Sequence, residues 1–248
     1  MADYRNQPAR FGTTASRAGT DIDEGLRSYM LRVYNYMAIA LAVTGVAALA
    51  TFNMAYSGGQ LTPFGTAIYT SALKWVVIFA PLGLVFFLSF RINSMSVGAA
   101  QATFWIYSAL VGVSLSSIFL IYTATSITQT FFVTAAAFGA LSLYGYTTKR
   151  DLSAMGSFLI MGLFGIIIAM LVNLFLQSSA LQFAISVGGV LIFAGLTAWD
   201  TQSIKNTYDV VANDETMMGR TAIMGALKLY LDFINLFMFL LQFMGDRR

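Results

Sequence analysis

Seven apolar runs, divided by short polar turns, dominate the pattern of this chain. They cover residues 33–55, 67–90, 97–122, 128–146, 152–175, 181–200 and 221–243. A helix needs roughly 20 apolar residues to cross the hydrocarbon core, so each run predicts a membrane-spanning helix. The short connections predict antiparallel neighbours, as at TTKRD, where Asp151 is placed to cap the fifth helix. Pairs of small residues, including Gly188 with Gly189 and Ala194 with Ala198, supply positions where helix backbones can approach in lipid.

The chain before the first run reads differently. Residues 1–20 are polar, carry arginines and lack the apolar core of a signal peptide, so they are expected to form a tail. Asp21 and Glu24 resemble a capping arrangement, and Leu26, Tyr29, Met30 and Val33 recur at helical spacing. This pattern predicts a short interfacial helix. The division that follows is a tail and interfacial segment over 1–30, then a seven-helix domain over 31–248.

Composition agrees: 58% of the residues are hydrophobic and 10% charged, whereas a soluble domain has about a quarter charged. The formal charge of +3 does not point to nucleic acid, because the basic residues are scattered singly between apolar runs. They report topology instead. With the N-terminus in the cytoplasm, that side receives ten of the fourteen Lys and Arg residues, against Lys74, Arg247 and Arg248 on the other; Lys228 lies inside the last run. Seven full crossings leave Arg247 and Arg248 on the poorer side, and a re-entrant final segment would return them to the cytoplasm. No cysteine and no histidine is present, and no phosphate-binding loop appears. An enzyme is therefore not expected, nor a cofactor.

The exceptions to apolarity carry the candidate chemistry. Asp200 and Asp232 lie in the sixth and seventh runs, where an ionised carboxylate is costly without a partner. Stepping back from Asp200 at 3.6 residues per turn gathers Thr197, Gly189, Ser186 and Gln182, interrupted by Phe193 and Leu196. Asp232 shares a face with Thr221, Gly225, Lys228 and Asn235, and lies about 18 Å beyond Arg220. Asp200 is expected at the cytoplasmic end of its run. If the helices are adjacent, the acids can meet, share one proton at low pH and lose it at higher pH. They could also offer oxygen ligands to a passing Ca²⁺, with the Asn235 amide and backbone carbonyls. Lys228, four positions before Asp232, could instead neutralise it within the same helix.

At these residues the chain resembles the Bax inhibitor-1 family, the transmembrane BAX inhibitor motif proteins. The likeness runs through GLRSYMLRVYNYMA (25–38), SLYGYTTKRDLSAMG (142–156), LTAWDTQSIK (196–205) and LYLDFINLF (229–237). It implies seven helices with the last one central, and a pH-sensitive Ca²⁺ leak controlled by the pair matched by Asp200 and Asp232. It also implies a basic residue near the end of the second helix that can exchange partners with the sixth-helix acid, a place matched by Arg91. The second run has no acidic residue, a departure from the family pattern. A different role, also implied by the resemblance, is an interaction protein acting on a membrane-bound protease or a stress or cell-death pathway. The bacterial relatives and the polar N-terminus lead to an expected bacterial inner membrane location.

Overall fold

The computed structural model describes the backbone of residues 14–248 and the side chains from Glu24 onward. Residues 1–13 of the expected tail lie outside these; residues 14–20 of it are helical backbone, and Asp21, expected as a cap, falls inside that helix.

Helix α1 runs unbroken over Thr14–Ala55, so the interfacial helix expected before Val33 is not a separate element. Tyr29, Met30 and Val33 are buried in the main core rather than laid on a membrane surface, and the Tyr29 ring meets Tyr208 at 5.5 Å. Burial against another helix has kept this stretch continuous with the first crossing. A two-residue hairpin follows, β1 (Tyr56–Ser57) and β2 (Gln60–Leu61), turned by Gly58 and Gly59 at φ +60° and +81°. Only such left-handed residues fit a tight hairpin of this hand without strain.

The second expected span divides into a short helix and a crossing one. Helix α2 (Pro63–Tyr69) is capped by Thr62, whose hydroxyl accepts the Gly65 N–H at 3.1 Å, and α3 (Leu73–Arg91) makes the crossing. The break falls at Thr70 and Ser71. Their hydroxyls donate to the Thr66 and Ala67 carbonyls, and the Ser71 hydroxyl accepts the Leu73 N–H at 3.0 Å. Short hydroxyl side chains compete for backbone groups in this way and end helices. The third span is likewise α4 (Val97–Leu115) followed by α5 (Ile118–Ile121), with Ser116 at the junction donating to the Val113 carbonyl and bonded to Tyr69.

The remaining spans are α6 (Ala124–Thr147), α7 (Ser153–Leu176), α8 (Ser179–Val211) and α9 (Glu215–Met244). Asp151 accepts the Ser153 N–H at 2.9 Å at the entry to α7, and these bonds with Ser153 hold its carboxyl below the usual carboxylate range. Seven described helices are long and apolar enough to cross a membrane, and the chain is a multi-pass membrane protein. Within α9, 61% of the apolar window is buried, against 6% for α7. α9 packs on α1, α4, α6 and α8 and is the central helix; α7 leans chiefly on α8 and offers its other faces to lipid.

The final helix crosses completely. Its 30 residues span about 45 Å, well beyond a core of about 30 Å. The chain after it is then tied to the corner between α5 and α6: Asp246 C=O accepts the Thr123 N–H at 3.1 Å, and the Arg248 N–H reaches Ile121 C=O at 2.9 Å. That corner lies at the opposite end of the bundle from the start of α1. Arg247 and Arg248 therefore stay there, and the re-entrant arrangement is overturned.

Candidate functional site

The two acids stand on the two helices that pack most extensively on each other, α8 and α9. Close approach depends on small residues. A side chain at Gly189 would strike the Phe239 ring, and one at Gly145 would strike the Ala198 backbone, so α8 sits directly against α9 on one side and α6 on another. The sixth helix continues through Thr201, Gln202 and Ile204, so Asp200 lies inside it and not at its end. α8 continues for eleven residues to Val211, which places Asp200 about 16 Å inside it. The extension holds because Ile204, Tyr208 and Val211 are buried, with Ile204 packed over Gly225 of α9.

The carboxyl groups of Asp200 and Asp232 lie within hydrogen-bonding reach of each other. Both residues are nearly removed from solvent, Asp200 at 7% and Asp232 at 4% exposure. Asp232 Oδ2 is buried and takes no hydrogen bond from any described donor. An oxygen left in that condition costs more than a satisfied one, since burial removes its water without substitution.

Lys228 has a different partner from the one its spacing suggests. Its ammonium lies 3.8 Å from Asp200 Oδ1 on the facing helix, the only ion pair among the described residues. Of the two readings left open for Lys228, the ion pair goes to Asp200 and not to Asp232 within α9. The Lys228 side chain is 49% exposed, so its stem runs outward from the pair and the contact is a partly screened one. Asn235 also turns away: its amide donates to Leu231 C=O at 2.8 Å, one turn back in its own helix. Arg91 is exposed at the end of α3, which packs against α4, and it makes no ion pair with a described acid.

No group of three or more acidic, His or Cys side chains gathers among the described residues. Any cation at the pair would meet two carboxylates and otherwise backbone or water oxygens, a set suited to transient rather than tight holding of a hard cation.

Three features of the surroundings were not drawn from the sequence. Thr201, beside Asp200, is joined to Ser142 at 2.9 Å, and Ser142 to Tyr34 at 2.5 Å, a hydroxyl chain linking α8, α6 and α1. Beyond the pair, towards the far end, Phe193 and Phe239 stack with centroids 5.8 Å apart and pack with Leu196 and Leu236 into a dry layer. Beyond that layer is a second polar cluster. Asn173 donates to Gln182 at 3.1 Å, and Gln182 donates to Gln242 at 2.9 Å. A cavity of about 400 Å³ opens at these amides. The interruption of the α8 stripe by Phe193 and Leu196 was the available sign of the dry layer; nothing in the spacing identified its partner on α9.

The family described as "Inhibitor of apoptosis-promoting Bax1" matches residues 26–248, from the start of the buried part of α1 to the last residue. The chain belongs to the Bax inhibitor-1 family. The Rickettsia prowazekii protein RP147 is 51% identical over 236 residues, covering 95% of this chain and 96% of its own. A Caulobacter vibrioides protein is 46% identical over 256 residues, with all of both chains covered. The inner membrane protein YbhL of Escherichia coli K12 is 48% identical over 225 residues, or 90% of this chain and 94% of that one. The family match takes in both acid-bearing helices, including α9, the element around which this fold is arranged.

Proposed function

We propose that the protein is a pH-sensitive Ca²⁺ leak pathway of a bacterial inner membrane, with its N-terminus in the cytoplasm and with Asp200 and Asp232 as the gate. The observation that carries this reading is the contact between two buried carboxyl groups, one of which keeps an oxygen without a donor. A shared proton holds such a pair together. Loss of that proton leaves two negative charges about 4 Å apart, a repulsion of about 4 kcal/mol at an effective dielectric of 20. This is enough to separate helices whose contact in lipid rests on packing and weak polar bonds.

The arrangement with the acids in contact is the closed one. Asp200 faces Lys228, so Asp232 is the member that holds the proton and donates it to Asp200. The dry layer of Phe193, Leu196, Leu236 and Phe239 stands between the pair and the far-side amides. Leak therefore rises as pH increases through the pair's titration. The inner membrane location is supported by the 48% identity to YbhL, and the orientation by the excess of Lys and Arg at the N-terminal end of the bundle.

Purified protein in Ca²⁺-loaded vesicles tests the reading. Wild type is expected to leak in a pH-dependent manner. Asp232→Asn keeps a neutral donor against Asp200, so its leak should stay low and flat with pH; Asp200→Asn should flatten the response as well. Unaltered pH dependence in both variants would remove the acidic gate.

A further inference from the structure

The proposed gate lies between α8 and α9, and a separate opening in the bundle wall lies between α1 and α6. There the two helices are held apart and bridged by the Tyr34–Ser142 hydrogen bond. The result is a groove of about 520 Å³, where Arg27, Met30, Tyr34 and Met37 of α1 face Phe138 and Gly139 of α6. Its length follows from the helix rise. Arg27 to Met37 covers about 15 Å, half of a hydrocarbon core of about 30 Å. The groove therefore spans one leaflet, with its mouth at the N-terminal end of the bundle.

The mouth is basic. Arg27 is exposed and has no ion-pair partner among the described residues, although Glu24 stands one turn earlier. Lys205 is held by one of the lining residues, its ammonium 2.8 Å from the Tyr146 carbonyl and 5.2 Å from the centre of the Tyr146 ring. Below the mouth the lining is almost wholly apolar, apart from hydroxyls that already bond one another. A charged head on a single apolar chain, anchored at the membrane surface, is the ligand with that distribution of chemistry.

A second groove gives the contrast. It lies further along the same two helices, with α4, α5 and α9 also lining it, has a volume of about 430 Å³, and includes Thr44, Gly45, Phe131 and Phe132. No charged residue lines it. The two recesses are of similar size and differ in the charge of their lining.

We propose that the N-terminal groove between α1 and α6 binds one anionic phospholipid, with its phosphate on Arg27 and one acyl chain lying along Met30, Tyr34 and Met37 as far as Phe138. The site is independent of the leak reading, because Arg27 touches neither acid. Gly139 gives a direct handle: nothing lies within 4 Å of where its side chain would begin, so a bulky residue there fills the groove without displacing protein atoms. Gly45 has the same open space in the second groove.

The test is native mass spectrometry of the full chain released from nanodiscs holding equal phosphatidylglycerol and phosphatidylcholine with identical acyl chains. Wild type is expected to retain phosphatidylglycerol at about fivefold excess or more. Arg27→Ala should abolish that excess and Arg27→Lys should restore part of it. Gly139→Phe should abolish it with Arg27 intact, whereas Gly45→Phe should leave it unchanged. Equal retention of the two lipids by wild type overturns the proposal, as does an excess that survives Arg27→Ala or Gly139→Phe. Thermal unfolding of each variant is recorded in parallel, and loss of the excess counts only in variants that melt cooperatively.

Discussion

Helices α8 and α9 contribute to two polar clusters, and the clusters are built on opposite principles. At the far end, Asn173, Gln182 and Gln242 form a neutral chain of amides in which donors meet acceptors beside an open cavity. Nearer the N-terminal end, Asp200 and Asp232 are packed together with one oxygen unsatisfied and a single, half-exposed lysine for compensation. The amides have one stable arrangement whatever the pH. On the proposed reading the carboxyls have two, because the proton that reconciles them can leave. A satisfied network fixes structure, while an incompletely satisfied charged one is poised to change it.

What keeps the clusters distinct is the Phe193–Phe239 layer, and removing it should produce the largest effect. Phe239→Ala deletes a buried ring seated over Gly189 and is expected to cost about 3 kcal/mol of stability, read as a lowered melting temperature in detergent. Because the chain has no cysteine, accessibility can be read on single introduced thiols. Ser186→Cys should react with a membrane-impermeant maleimide added from the far side, and Thr197→Cys should not. In the Phe239→Ala background Thr197→Cys should become reactive. Reaction of Thr197→Cys without that change would mean that the two clusters already communicate.

A smaller effect is expected from the neutral cluster. Gln242→Leu removes the acceptor of the Gln182 amide and should lower stability by about 1 kcal/mol. The pH response of the leak should keep its midpoint. A shifted midpoint would show that the amides take part in gating and would erase the contrast between the clusters.

Lys228→Met should have the smallest effect. An ion pair with a 49% exposed partner is worth about 0.2–1 kcal/mol, which is less than one pH unit. Lys228 favours the ionised form of Asp200, so the variant should hold its proton to higher pH and move the leak midpoint upward. A shift of several units would make Lys228 part of the gate rather than a screened neighbour.

The spans were legible because they depend on length and apolarity alone, and each predicted run contains or overlaps one crossing helix. The divisions at Thr70–Ser71 and at Ser116 were not, because hydroxyl groups at those points bond to backbone that an apolar count treats as helix. Asp200 and Asp232 could be singled out from the expense of charge in lipid. Their contact could be foreseen only on condition that their helices were neighbours. The partner of Lys228 stayed open for the same reason: a spacing of four names a neighbour within a helix, yet the side chain crosses to α8.

Sequence by itself determined that this chain crosses the membrane repeatedly, and it singled out the two carboxylates that lie within its apolar runs. These follow from transfer free energies of individual residues, which are local quantities. Tertiary structure decided that α9 lies at the centre, that the two acids touch while Arg91 and Asn235 stand aside, and that the C-terminus is tied to the corner after α5. Those outcomes depend on which helix faces meet. Lipid surrounds every apolar face almost equally well, so small-residue fit and hydrogen bonding between helices, rather than hydrophobicity, make the choice.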